Sequence, residues 1–184
     1  MKNIAIILTI VALMVFVSSC AFGQDKAANH YVGTKTCSMC HKADKTGNQF
    51  GIWQKTKHAE AFTVLQSPKA AEVAKAKGLT KPASESPECL ECHTITADAT
   101  LLDKTFDAKD GVQCESCHGA GSAYKSMTVM KDKAKAIASG LTDFKDQAAI
   151  EAKCKTCHNE KSPTHKPFVL KDSWAKIQHP LKKS

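Results

Sequence analysis

Apolar residues are concentrated near the start of the chain. The longest apolar run covers residues 4–17, follows Lys2 and precedes the small residues at 18–21. This order of a basic residue, an apolar stretch and small residues is typical of a secretory signal peptide. The run is shorter than the roughly 20 apolar residues that a membrane-spanning helix needs. The pattern predicts a signal peptide over residues 1–24 and one mature domain over residues 25–184.

Two cleavage sites are compatible with this signal. The segment that ends at Cys20 resembles a bacterial lipobox, in which Cys20 would be lipidated and become the new N-terminus. Ala21 and Gly23, on either side of Phe22, instead form an ordinary signal-peptidase site. Either cleavage places the mature protein outside the cytoplasm, in the periplasm or anchored to a membrane as a lipoprotein.

Beyond the signal, the pattern of apolar positions predicts short helices. Residues 59–77 form one helix that is broken near Pro68, and residues 123–139 form a second. A third helix starts near 146 and carries the last cysteine pair and its histidine on its final turns. Only a short piece at 94–100 alternates as a strand would. We therefore predict a mainly α fold of short helices and loops.

The charged residues indicate which kinds of macromolecule the protein could bind. The chain has 26 basic and 18 acidic residues, a formal net charge of +8, and every basic residue is lysine. Arginine commonly reads guanine edges and phosphates, so an all-lysine composition argues against nucleic-acid binding. Runs of lysine are typical of a solvated face or of a surface that docks acidic redox proteins. The lysine runs include Lys131, Lys133 and Lys135, and Lys182 and Lys183.

Eight of the nine cysteines fall into four pairs of equal spacing, and a histidine follows each pair directly. This pentapeptide is the attachment signal for c-type haem. Cysteines three positions apart lie on one face of a helical turn and can bind both vinyl groups of a porphyrin. The next histidine can then bind the iron as its proximal ligand. The motifs are Cys37, Cys40 and His41 (motif 1), Cys89, Cys92 and His93 (motif 2), Cys114, Cys117 and His118 (motif 3), and Cys154, Cys157 and His158 (motif 4).

Two other uses of paired cysteines are less consistent with the pattern. Disulfides are common in exported proteins, but they do not require a histidine after every second cysteine. Zinc sites combine two separated cysteine pairs or place their histidines more freely. The sequence therefore predicts four covalently bound haem c groups, which must supply much of the core of so short a chain.

Four further histidines match the four distal positions in number. They are His30, His58, His165 and His179. His58 opens a helical stretch and His179 ends an amphipathic C-terminal segment, whereas His30 and His165 lie in less regular surroundings. Met127 and Met130 are reserve candidates, because methionine also binds haem iron. If one of these ligands is missing, one iron is five-coordinate.

Four segments of the chain resemble the cytochrome c-554 family of multihaem cytochromes. The segments are YVGTKTCSMCH (31–41), IWQKTKHAEAF (52–62), GVQCESCHGAGSAY (111–124) and CKTCHNEKSPTHKPF (154–168). The resemblance implies a mostly α-helical fold, haems in closely stacked pairs, mainly bis-histidine iron and low potentials. It implies His58 and His179 as distal ligands. It also implies an electron carrier that serves a larger periplasmic redox enzyme, hydroxylamine oxidoreductase in nitrifying relatives.

The chain departs from the family pattern in two places. Ala120 occupies a position where proline is usual, and no histidine follows soon after motif 3. His30 or His165 must therefore replace that ligand, or one iron stays open. Two functions follow from these alternatives. With every site closed, the protein carries electrons between periplasmic or membrane redox proteins; with one open site, it could reduce a small molecule such as a nitrogen oxide.

Overall fold

The computed structural model of the chain describes residues 28–179. No strand occurs in that part; it contains only an isolated bridge between Tyr31 and Leu102. The prediction of a mainly α fold is therefore confirmed. The predicted signal peptide with Cys20, and the lysines at 182 and 183, lie outside the described residues.

The described part of the chain forms ten short α-helices and four 3₁₀ turns. None of its helices is long and apolar enough to cross a membrane. The α-helices are α1 (Thr34–His41), α2 (Gln49–Trp53), α3 (Ala61–Val64), α4 (Pro68–Ala76), α5 (Pro87–His93), α6 (Cys114–His118), α7 (Met127–Met130), α8 (Lys133–Ala138), α9 (Gln147–Lys155) and α10 (Leu170–Trp174). The 3₁₀ turns are Asp44–Thr46, Ala83–Glu85, Ala99–Leu101 and Ala108–Asp110.

Side-chain caps explain where the predicted helices break. The stretch 59–77 contains α3 and α4, and Ser67 caps α4 by accepting a hydrogen bond from the Ala70 amide at 3.2 Å. Pro68 occupies the first turn of α4, where its missing N–H costs nothing. The predicted break is therefore confirmed.

The second and third predicted helices need correction. The stretch 123–139 is not continuous, because Asp132 accepts a hydrogen bond from the Lys135 amide at 3.1 Å and starts a separate helix, α8. The third helix, α9, contains Cys154 but ends at Lys155, so the motif 4 histidine follows in a turn. That turn is closed by a 2.9 Å hydrogen bond from the His158 amide to the Cys154 carbonyl.

The candidate strand at 94–100 is wrong. Thr94 donates its hydroxyl hydrogen to the Ala108 carbonyl at 2.7 Å, and Asp98 accepts the Thr100 amide at 2.8 Å. The aspartate bond starts the 3₁₀ turn at Ala99–Leu101. These local side-chain hydrogen bonds take the place of the backbone hydrogen bonds to a neighbouring strand that a β-strand would have needed.

The apolar core is small. The buried hydrophobic residues of the described part are Val32, Ala61, Leu65, Ala74, Ala83, Tyr124 and Ala136. Four of them are alanine, and only Leu65, Ala74 and Ala83 form a cluster, against which Cys89 of motif 2 packs. Since few large side chains are buried, protein atoms alone supply little of the hydrophobic stabilisation that a chain of this size requires.

Candidate functional site

Motifs 1 and 3 are far apart in sequence but adjacent in space. Helices α1 and α6, which carry them, contact each other. The thiols of Cys37 and Cys114 are in hydrogen-bonding contact, which raises the pKa of Cys37 and lowers the pKa of Cys114. One cysteine of motif 1 therefore contacts one cysteine of motif 3 directly.

Motifs 2 and 4 make a second pair of the same kind. Burial raises the pKa of Cys92 to about 11, and the charge and hydrogen bond of Cys157 raise it further. Motif 3 connects the two pairs, because Cys117 lies within electrostatic range of Cys154 and Cys157. Interactions between their cysteines therefore connect motif 1 to motif 3, motif 3 to motif 4, and motif 4 to motif 2, which is the order 1, 3, 4, 2.

Two of the motif histidines face a histidine from elsewhere in the chain. The ring centres of His58 and His158 are 6.1 Å apart, and those of His118 and His179 are 5.9 Å apart. A bond from a metal to an imidazole nitrogen is about 2 Å long and the nitrogen lies about 1 Å from the ring centre, so two rings on opposite sides of one ion have centres roughly 6 Å apart. Both pairs have the spacing of axial ligands.

Burial keeps these imidazoles neutral. The pKa of His118 falls to about 4, mainly through burial and further through the charges of His179 and His41. The pKa of His58 is also lowered, again by burial first and then by His158. A neutral imidazole has a nitrogen lone pair available, and metal binding needs that lone pair.

The donor set fits a haem iron. In residues 28–179 no three His, Cys, Asp or Glu side chains converge as a protein-only metal site would require. Two facing imidazoles would instead suit an iron whose other ligands come from a porphyrin. The buried Nδ1 of His179 has no hydrogen-bond partner in the described part of the chain beyond its own residue.

The histidines of motifs 1 and 2 are oriented by hydrogen bonds. His93 donates from Nδ1 to the Ala61 carbonyl at 2.6 Å, which leaves Nε2 as the free nitrogen because a carbonyl can only accept. His41 Nδ1 lies 3.2 Å from Oε1 of the buried Gln49. Such partners fix the ring and its tautomer in metal sites.

A cavity of about 210 Å³ lies beside motif 2. Cys89, Cys92 and His93 all line it, together with apolar residues of α3 and α4 such as Val64. His93 is the single histidine of its lining. The surroundings of motif 2 therefore differ from those of motifs 3 and 4, whose histidines face a second imidazole.

The other two candidate ligands lie apart from the facing pairs. His30 Nδ1 is 3.4 Å from Asp103 Oδ1, and its amide donates to Ser122 Oγ at 2.8 Å. His165 is exposed, lies in a turn that its amide closes with the Ser162 carbonyl, and is close enough to His158 to lower the pKa of that residue. Their role as ligands stays a prediction.

The segment just before motif 3 fixes the position of His58. The Val112 amide donates to the His58 carbonyl at 2.9 Å, and the Val112 carbonyl accepts from the Trp53 indole at 2.8 Å. Gly111 has φ +72°, and a Cβ added there would lie 2.6 Å from the His58 carbonyl oxygen. Only glycine allows the two backbones to approach this closely.

Replacing Gly111 with alanine should therefore disturb His58. We expect a loss of roughly 1–3 kcal/mol in the free energy of unfolding, because the backbone conformation disfavours a side chain and the Cβ meets a carbonyl. We also expect a partial high-spin signal in the ferric EPR spectrum. Gly78→Ala is the matched control, since Gly78 has φ +71° but nothing within 4 Å of the added Cβ. Equal effects of both variants on the spin state would contradict this role of Gly111.

Three site residues have no signal in the sequence pattern. Phe168 stacks on the His158 ring at 5.1 Å between centres, and Phe144 meets the His118 ring edge-on at 6.0 Å. Glu115, inside motif 3, is almost fully buried. The spacing of the motifs predicts the attachment residues but says nothing about which side chains surround them.

Comparisons with known proteins point to one family. Residues 36–119 match the family model described as "Cytochrome c554 and c-prime". Cytochrome c-554 of Nitrosomonas europaea is 31% identical over 156 residues, an alignment that covers 74% of this chain. The chain spans 61% of the length of that curated relative. No solved structure is significantly similar to the chain.

Proposed function

Because the chain belongs to the cytochrome c-554 family, with residues 36–119 matching its family model, we propose that it is an exported tetrahaem c-type cytochrome that carries electrons between redox proteins. The observation that carries this proposal is the facing of motif histidines by histidines from distant segments, at 6.1 and 5.9 Å between ring centres. Bound haem would supply the ferric–ferrous couple.

The chain offers a residue for each role in holding four haems. The cysteine pairs of the four motifs would form the thioethers, and His41, His93, His118 and His158 would be the proximal ligands. His58 would be the distal ligand opposite His158, and His179 the one opposite His118. His30 and His165 are the remaining candidates for motifs 1 and 2.

These residues suit a carrier because they close the iron to substrates. A pair of facing imidazoles would bind the iron from both sides, and hydrogen bonds such as that of His93 to the Ala61 carbonyl keep a ring from turning. The spatial order of the motifs, 1, 3, 4, 2, forms a continuous row. We expect the electron donor and the electron acceptor to dock at its two ends, motifs 1 and 2.

The proposed setting is the periplasm. The N-terminal segment, which resembles a signal peptide, supports this location. Cys20, the one cysteine outside the four motifs, could carry a lipid that anchors the protein to a membrane instead of leaving it free. In this proposal residues 25–184 form one tetrahaem domain. The excess of lysine over acidic residues favours periplasmic or membrane redox proteins with acidic surfaces as partners.

The cavity beside motif 2 favours a second candidate function. Its lining contains no histidine other than His93, so the iron held there would have an open side toward Val64 and its neighbours. A five-coordinate haem in that position could bind and reduce a small molecule such as a nitrogen oxide. This reading makes motif 2 a reaction site and the other three motifs its electron supply.

Spectroscopy of the intact mature protein separates the two functions. The chain is produced with a haem-maturation system, its haem content is counted, and ferric EPR and optical spectra are recorded with and without carbon monoxide or nitric oxide. We expect four haems per chain and low-spin iron, with no ligand binding, for a pure carrier. A high-spin signal with ligand binding at one haem would support the reductase. Fewer than four attached haems would contradict the proposal itself.

A further inference from the structure

Glu115 is a buried carboxylate at the junction of motifs 1 and 3. Its relative exposure is 3%. One carboxylate oxygen accepts the amides of Val32 at 2.9 Å and Gly121 at 2.7 Å, and the other accepts the Gly33 amide at 2.7 Å. Because both oxygens act as acceptors, the side chain is held as a carboxylate rather than as an acid that must donate a hydrogen.

The three amides come from two segments, which His30 and Ser122 also join by hydrogen bonds of 2.8 and 3.1 Å. Val32 and Gly33 lead directly into α1, which carries motif 1, and Gly121 follows motif 3. A Cβ added at Gly121 would lie 2.9 Å from the carboxylate oxygen and 3.2 Å from the Val32 side chain. Glu115 therefore joins the entrance of one motif helix to the exit of the other.

The charge of this carboxylate reaches both attachment motifs. Hydrogen bonding between the two thiols and burial have the larger effects on Cys37 and Cys114; the charge of Glu115 adds to the raised pKa of Cys37 and opposes the lowered pKa of Cys114. It also raises the pKa of the buried Tyr124 hydroxyl, after burial itself. No lysine or histidine forms an ion pair with Glu115 among the pairs seen in residues 28–179.

We infer that Glu115 is a positioning residue that fixes motif 1 against motif 3 and, through its buried negative charge, lowers the reduction potentials of the two haems that these motifs hold. This inference rests on the proposed function. A negative charge stabilises the ferric state, which carries one more positive charge than the ferrous state. Because the carboxylate is buried and bound only by neutral amides, solvent and counter-ions screen it little.

The size of the effect follows from Coulomb's law. Two unit charges about 10 Å apart, at an effective dielectric constant of about 20, change an equilibrium constant by roughly tenfold. For Glu115→Gln we therefore expect the potentials of two of the four haems to rise by about 59 mV each, the equivalent of a tenfold change for a one-electron couple.

The test is a potentiometric titration of the holoprotein, followed optically and by EPR. Glu115→Gln is compared with Glu91→Gln, which removes the same charge beside a cysteine of motif 2 at an exposed position. Haem content and thermal midpoint are measured for each variant. We expect two raised potentials in Glu115→Gln, four unchanged potentials in Glu91→Gln, and four attached haems in both.

The measured potentials distinguish a failure of the inference about Glu115 from a failure of the proposed function. Unchanged potentials in a fully loaded Glu115→Gln protein, or equal shifts in both variants, would overturn the inference. If Glu115→Gln does not mature, Glu115→Asp replaces it: the shorter side chain withdraws the charge from Val32 and Gly33, so the potential of one haem should rise, and four unchanged values would overturn the inference. A wild-type protein without redox-active haems would refute the proposed function instead.

Discussion

In the proposed tetrahaem protein, replacing His58 with alanine is expected to convert one iron from low spin to high spin while every haem stays attached. The imidazole of His58 faces His158 at 6.1 Å between ring centres, the spacing of two axial ligands. In this proposal the cysteines of motif 4 attach that haem, and they remain in the variant. The opened iron should also bind carbon monoxide, which a six-coordinate iron excludes. Ferric EPR and carbon monoxide titration of the reduced protein measure both effects.

The neighbouring Lys57 provides a matched control for this variant. Its side chain is 93% exposed and forms a surface ion pair with Glu60 at 2.7 Å, so Lys57→Ala should leave all four spin states unchanged. His179→Ala should act like His58→Ala but at the iron of motif 3, because its ring faces His118 at 5.9 Å. A His58→Ala protein with four low-spin irons would show that His58 is not a ligand.

The prediction that the motif cysteines and histidines attach haem rests on a local signal and stays a prediction. Two cysteines and a histidine within five positions specify the chemistry, whatever the rest of the chain does. The pairing of distal histidines could not be predicted in this way, since His58 and His158 meet only through the tertiary fold. The sequence likewise does not indicate that the ring of His179 faces His118, because the two residues are far apart in the chain.

The helical character of the fold could be predicted from the sequence, whereas the helix boundaries depend on single side chains. Pro68 is visible in the sequence as a break, and the structure has the break there. Asp132 divides the second predicted helix because its side chain caps α8. Since lysines lie on both sides of Asp132, the sequence does not distinguish this cap from an ordinary exposed charge. Glu115 shows the same limit at the site: a glutamate within a motif looks solvated, and only the folded chain brings three amides to it.

The largest expected effect on stability concerns haem attachment as a whole. The longest α-helices in the described part of the chain have eight or nine residues, below the roughly 12–15 that an isolated helix needs in water. The buried apolar side chains are few and mostly alanine. Neither local helix stability nor a protein core can therefore offset the conformational entropy of so long a chain.

Without haem attachment, the full chain should consequently lose most of its helical circular-dichroism signal and show no cooperative thermal transition, whereas the holoprotein should keep both. The chain is produced with and without the haem-maturation system and measured under reductant, so that its free thiols cannot form disulfides.

A comparison of two double-cysteine variants tests the same idea for single motifs. Cys114→Ser with Cys117→Ser should lower the thermal midpoint more than Cys89→Ser with Cys92→Ser, because motif 3 lies between motifs 1 and 4 while motif 2 ends the row. A haem-free chain that melts cooperatively would show that the protein core suffices.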